Sequence, residues 1–150
     1  MASQVSFYHL ERQGIDDALP RLLEKVLSAG HKVAVFLGGD ERMKKLDSAL
    51  WTYDPASFLP HGCQGGDHSD LQPVYLTTAQ DVPNGADVLV ILDAVVPSDL
   101  TAFARCLYMF DAREDGATAQ AREDWKALKQ AGHDVTYWQQ TEQGGWAKKA

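Results

Sequence analysis

The sequence predicts an α/β fold, a mostly parallel sheet with helices on both faces, and three observations carry that prediction. Runs such as Val33-Ala34-Val35-Phe36-Leu37 and Val88-Leu89-Val90-Ile91-Leu92 are apolar throughout, as strands buried on both sides must be. These runs alternate with amphipathic helical stretches, the order that builds βαβ units. The chain has 150 residues, 45% of them apolar and 23% charged, and a chain of that size buries roughly two-thirds of its unfolded surface around one core. A single domain over residues 1–150 is expected.

The elements follow in order. Val5-Ser6-Phe7-Tyr8-His9-Leu10 is a β-branched and aromatic run that leads to Gly14 and the acidic pair Asp16-Asp17, a helix start. Leu19, Leu22, Leu23, Val26 and Leu27 then recur with helical spacing up to the stop at Gly30. Pro20 is tolerated only in a first turn, so this helix is expected to begin near Asp17. The strand Lys32 to Leu37 ends at Gly38-Gly39, and Asp40 is expected to cap a helix running to about Trp51, with Met43, Leu46, Ala49 and Leu50 on its core side. Residues 52–73 are rich in Pro, Gly, His, Asp and Ser without periodicity and read as a long loop. Val74 to Thr77 and Val88 to Leu92 are strands. Leu100, Phe103, Leu107 and Phe110 suggest a helix from about Asp99 to Phe110, capped by Ser98 and containing Cys106 as a small core residue. Another helix runs from about Gly116 to Ala131, Val135 to Gln140 is a last strand, and residues 141–150 form a tail. The outline is Rossmann-like.

The net charge of −7 opposes a broad grip on nucleic acid phosphates. Its distribution matters more. Residues 51–100 hold seven acidic side chains and no Lys or Arg, whereas each of the other thirds carries seven of either sign. A basic patch must therefore be built from the two ends of the chain. No apolar run is long enough to span a membrane and the N-terminus lacks the pattern of a secretory signal, so a cytoplasmic protein is expected. Cys63 and Cys106 lie far apart without a C-x-x-C spacing and read as free thiols.

Enzyme signatures are missing from the sequence. The first strand-to-helix turn reads Glu11-Arg12-Gln13-Gly14-Ile15-Asp16, with one glycine where a dinucleotide fingerprint needs three. Asp40 after Gly38-Gly39 would place a carboxylate where a phosphate needs bare N–H groups. No Walker, nucleophile-elbow or H-E-x-x-H pattern occurs, and no cofactor is expected. His61, Cys63 and His68 offer ligand types for a metal in the long loop, set among glycines that give them little support.

Two constellations are more informative. Arg122, Lys126 and Lys129 form a cationic stripe on the helix after Gly116, with Trp125 at its edge. Cations beside an indole suit an acidic peptide with an aromatic end or free carboxylate, although Ala121, Trp125 and Leu128 also make an ordinary core stripe. Trp51 and Phe58 flank a proline turn at the mouth of the long loop, as a plug for the core or as an anchor for another protein.

Val5-Ser6-Phe7-Tyr8, Leu46-Asp47-Ser48-Ala49-Leu50-Trp51, Ser57-Phe58-Leu59-Pro60-His61, Ala121-Arg122-Glu123-Asp124-Trp125-Lys126 with Ala131-Gly132-His133, and the closing Tyr137-Trp138-Gln139-Gln140 and Gly144-Gly145-Trp146 resemble the chi subunit family of bacterial DNA polymerase III holoenzyme. The ordered set covers nearly the whole chain. The resemblance implies a non-catalytic accessory of the clamp-loader complex with a Rossmann-like fold and no nucleotide. It implies psi subunit as a partner through Trp51 and Phe58, with a helicase-related protein competing for that face. It also implies binding of the acidic C-terminal tail of single-stranded DNA-binding protein through Arg122, Trp125 and Lys126, to which the stripe adds Lys129. Asp124 and Thr118 stand where members of the family can carry basic residues. Tail affinity is expected to be weaker unless Lys129 and the Lys148-Lys149 end compensate. Two readings of other classes stand beside this one: a metal-dependent hydrolase using His61, Cys63 and His68, and a module that binds single-stranded DNA directly through Trp125 and the basic stripe.

Overall fold

The computed structural model describes residues 3–54, 59–66, 68–143 and 145–149. Its elements are β1 (Gln4–Leu10), α1 (Ile15–Ser28), β2 (Val33–Phe36), α2 (Asp40–Thr52), β3 (Gly62–Cys63), a 3-10 turn (Ser69–Leu71), β4 (Val74–Thr77), β5 (Val88–Ile91), β6 (Arg105–Asp111), α3 (Ala117–Gln130), β7 (Asp134–Gln140) and β8 (Trp146–Lys148). They form an eight-stranded sheet in the order β3-β4-β2-β5-β6-β1-β7-β8. Every adjacent pair is parallel except β7 with β8. The α/β class with a mostly parallel sheet is as expected.

Alternation along the strands divides the core into two layers. Tyr8, Leu10, Val33, Val35, Val90, Leu107 and Met109 pack with Leu19 and Leu23 of α1 and with Leu46 and Leu50 of α2. On the other face Val5, Phe7, Ala34, Phe36, Ile91, Cys106 and Tyr108 pack with Ala121 and Leu128 of α3, and Leu100 and Phe103 extend that layer. Each fully buried Leu or Phe contributes about 1.5–3 kcal/mol over its exposed state, so both layers are needed to offset chain entropy.

The expected helix at 99–110 is wrong. Residues 105–111 are β6, between β5 and β1. Leu100, Phe103, Leu107 and Phe110 imitate a helical stripe, but the run from Cys106 to Phe110 is apolar at every position, and only a strand covered on both faces can bury all five. Leu100 and Phe103 sit in the preceding turn, where Ser3 Oγ donates to both of their carbonyls at 2.7 and 3.0 Å. Cys106 is fully buried, as a strand residue.

Smaller differences have local causes. α1 starts at Ile15, two residues earlier than Pro20 suggested, so the proline is the sixth helical residue and the Asp16 carbonyl lacks its helical N–H donor. α2 starts at Asp40 with Gly39 as its N-cap, and no side chain caps it. The 52–73 segment contains β3 and the 3-10 turn, and the expected tail contains β8. Gly30 and Gly132 take φ values of 90° and 92° where α1 and α3 end, a conformation only glycine adopts without strain.

Candidate functional site: the α3 face and the end of α2

The chain direction changes between β6 and β1. The segment after β1 leads to α1 on one face, and the segment after β6 leads to α3 on the other. In open α/β sheets such a point, at the carboxyl ends of the strands, is where nucleotides bind. Here the crevice is lined by Asp93, Asp111, Glu114 and Asp115. Asp111 accepts from Arg113 Nε and Nη2, both at 2.9 Å. Gly38 N–H donates to Asp93 Oδ2 at 3.0 Å, and Arg42 lies 3.4 Å from Asp16 and 3.5 Å from Asp93. Asp40 does not cap α2 as expected, and the carboxylate held beside the Gly38-Gly39 turn is that of Asp93. Clustered carboxylates repel a diphosphate.

α3 carries the opposite electrostatics. Ala121 and Leu128 point into the sheet, which leaves Trp125 half-buried between them and Arg122, Lys126 and Lys129 exposed. The Trp125 ring meets Phe7 and Tyr137 edge-on, with centroids 5.5 and 5.7 Å apart. Lys129 Nζ lies 5.6 Å above the indole, within cation–π range. Among the described residues no carboxylate lies within 4 Å of any of the three cations. Trp125 packs on the core, as the core-stripe reading expects, and also walls a cleft.

That cleft, about 470 Å³, is lined by His9, Arg122, Trp125, Tyr137 and Gln139. β1 and β7 are parallel neighbours with Phe7 opposite Tyr137 and His9 opposite Gln139, so their alternate residues face α3 together. His9 Nδ1 is hydrogen-bonded to the Tyr137 hydroxyl, and its Nε2 lies 3.1 Å from Glu11. Burial raises the Tyr137 hydroxyl above the ordinary tyrosine range, against the lowering influence of Arg122. Sequence reasoning missed His9, Tyr137 and Gln139. The matched alternation of the two strands was the signal that could have found them.

Asp124 interrupts the stripe less than its charge suggests. Its Oδ2 accepts from the buried Tyr108 hydroxyl at 2.5 Å and its Oδ1 from Gln120 Nε2 at 3.2 Å, which turns the carboxylate toward the sheet. Burial and the neighbouring carboxylate push the Tyr108 hydroxyl far above its ordinary range. At the C-terminal end Ala147 pairs with Gln139 and Lys148 with Trp138. Alternation therefore puts Lys149 on the α3 side, where it lines a shallow depression that shares Gln139, and puts Lys148 on the other side.

Trp51, in the last turn of α2, is 56% exposed and lies against His61 with ring centroids 4.8 Å apart. His61 is buried and engaged at both ring nitrogens, by the Leu59 carbonyl at 2.9 Å and by Asp47 Oδ1 at 2.8 Å. The chain after α2 is tied to α1 by Arg21, 3.2 Å from Asp54, and by the Tyr53 hydroxyl, which donates to Glu24. Phe58, the other aromatic expected on this surface, lies outside the described residues. The candidate metal residues have other engagements. His61 is held as above, and burial together with Asp47 pushes the Cys63 thiol up to about 12. Among the described residues no group of three or more His, Cys, Asp or Glu is placed to hold an ion. No helix among them is long and apolar enough to cross a membrane.

The chain is thus an α/β protein with a mostly parallel, Rossmann-like sheet, carboxylates at its switch point and a cationic, aromatic groove on an outer helix. The comparisons with known proteins name the family. The model described as "DNA polymerase III chi subunit, HolC" matches residues 2–136, so the chain belongs to the chi subunit family of DNA polymerase III, a replication accessory subunit of that polymerase. Similar proteins are a probable DNA polymerase III subunit chi of Rickettsia prowazekii, 33% identical over 65% of this chain and 57% of that protein; the subunit chi of Haemophilus influenzae, 24% identical over 91% and 96%; and that of Escherichia coli, 27% identical over 87% and 93%.

Proposed function

We propose that this accessory subunit is a non-catalytic tether with two faces. The α3 cleft takes the acidic C-terminal tail of single-stranded DNA-binding protein, and the Trp51 end of α2, with Phe58 as a second aromatic contact, takes psi and through it the clamp loader. A helicase-related protein would compete for the second face. The observation that carries the reading is the set of three cations, without carboxylate partners among the described residues, on the helix that carries the half-buried Trp125.

Arg122, at the cleft mouth, pairs with the terminal carboxylate of the tail. Lys126 and Lys129 meet its acidic residues, and Trp125 with Tyr137 walls its apolar end. The inward turn of Asp124 supports this assignment, because it keeps that carboxylate off the approach and leaves Glu123 as the exposed acidic neighbour of the stripe. A charge-assisted hydrogen bond contributes roughly 1.5–3 kcal/mol, so two or three of them, less ordering costs, give micromolar-scale affinity that weakens with salt. Several tails on one coated strand supply avidity. The negative charge of residues 51–100 keeps contact with DNA indirect.

Calorimetric titration with a synthetic acidic peptide ending in an apolar residue tests the site. Arg122→Ala is expected to weaken binding at least ten-fold, equivalent to about 1.4 kcal/mol, without a change in melting temperature. Unchanged affinity rules out this cleft.

A further inference from the structure

On the face opposite α3, a second cavity has no role in the reading above. α1 packs on β2 and β6, and beside it the buried Tyr8 and the partly buried Trp138 and Trp146 form an aromatic shelf. Tyr8 and Trp146 meet edge-on at 5.0 Å. Together with Leu22 and Val26 of α1, with Ala29 just after it, and with Val88 and Leu107, these rings line about 300 Å³, the lower end of the range for small-molecule sites.

The rim is cationic. Lys25, in the last turn of α1, and Arg105, the first residue of β6, both reach it, and neither has a carboxylate within 4 Å among the described residues. Burial raises the Tyr8 hydroxyl above the ordinary tyrosine range and the nearby Arg105 guanidinium draws it back down, the cation standing at the edge of the apolar floor. The remaining charged groups there, His31 and Asp87, are bound to each other at 2.5 Å. An apolar, aromatic floor under two cations lacking counter-charges is complementary to a carboxylate on an apolar body, because the guanidinium fork grips the carboxylate while rings pack on the rest.

We propose that this cavity binds the carboxylate of an apolar acid about one aromatic side chain in size, with Lys25 and Arg105 holding the carboxylate and Tyr8, Trp138 and Trp146 packing the body. The acid is either a free small molecule or the last residue of a peptide.

The four tryptophans make the test direct. In two-dimensional NMR of the ¹⁵N-labelled full chain, Trp138 and Trp146 indole signals report on the cavity, while Trp51 and Trp125 report elsewhere. N-acetyl-L-phenylalanine is expected to shift the first pair to saturation, its uncharged amide to bind at least five-fold more weakly, and Lys25→Gln and Arg105→Gln each to weaken the acid at least three-fold. Lys25 is exposed, so its variant keeps the test valid if Arg105→Gln perturbs folding. Tighter binding by Gly-Gly-Phe than by the acetylated acid points to a peptide terminus, and the reverse order to a free acid. Equal binding of acid and amide, shifts confined to Trp51 or Trp125, or preferential saturation by deoxyadenosine monophosphate would each overturn the proposal. Arg122→Ala should leave these shifts unchanged, so the outcome is independent of the α3 site.

Discussion

Asp124→Asn should move stability and tail affinity in opposite directions. The carboxylate accepts from Tyr108, 1% exposed, at 2.5 Å and from Gln120 at 3.2 Å. Asparagine offers one acceptor oxygen where aspartate offers two, and that oxygen is neutral. Hydrogen bonds to charged groups contribute about 1.5–3 kcal/mol and neutral ones about 0.5–1.5. The substitution should therefore cost about 1 kcal/mol, a fall of roughly 2–4 °C in melting temperature for a chain of this size. It also removes a negative charge from the helix that presents Arg122, Lys126 and Lys129. One unit charge within a Debye length, in water-like surroundings, is worth roughly 0.5 kcal/mol, so tail peptide should bind about two-fold more tightly at low salt and without gain in molar salt. Thermal melts and calorimetry on the same samples read both quantities. A variant as stable as the parent would refute the buried Tyr108–Asp124 bond, and affinity that falls would refute the stripe as the docking surface.

Three further outcomes are expected. Trp51→Ala should abolish co-purification with psi while leaving both melting temperature and tail-peptide affinity unchanged, since the ring is mostly exposed; loss of tail binding as well would point to unfolding. Arg113, by its side-chain hydrogen bonds above all, holds the Asp111 carboxyl below the usual carboxylate range. A lowered folded value means that the stabilisation is present above about pH 4 and lost as pH falls through the folded value, so the stability gap between the parent and Asp111→Asn, followed by urea melts, should shrink on acidification below pH 4. Cys63, with its thiol at about 12, should react with iodoacetamide at pH 8 at least ten-fold more slowly than a free cysteine, and Asp47→Asn should accelerate it.

Pattern made most of the fold legible where one period dominated. The continuous apolar strands and the Leu stripe of α1 could be read directly. The β6 segment could not, because a strand buried on both faces has no alternation and its large residues fell by chance on helical spacing; five consecutive apolar residues were the better signal. β3 and β8, two and three residues long, are specified by their neighbours and not by their own sequence. At the candidate site the α3 residues were visible from helical spacing alone. His9, Tyr137 and Gln139 arrive from strands more than 120 residues apart in the chain, a juxtaposition that depends on β1 lying beside β7. Asp124 was read as a weakening of the patch, since only coordinates show that Tyr108 turns it inward.

The brevity of the two outermost strands has a consequence for how this molecule can be joined. β3 and β8 are themselves too short to template a foreign strand, and β8 covers only Trp138–Gln140 of the seven-residue β7. Side chains standing on the outer helices are the other surface open to contacts, and these can be changed one residue at a time with little disturbance of the scaffold.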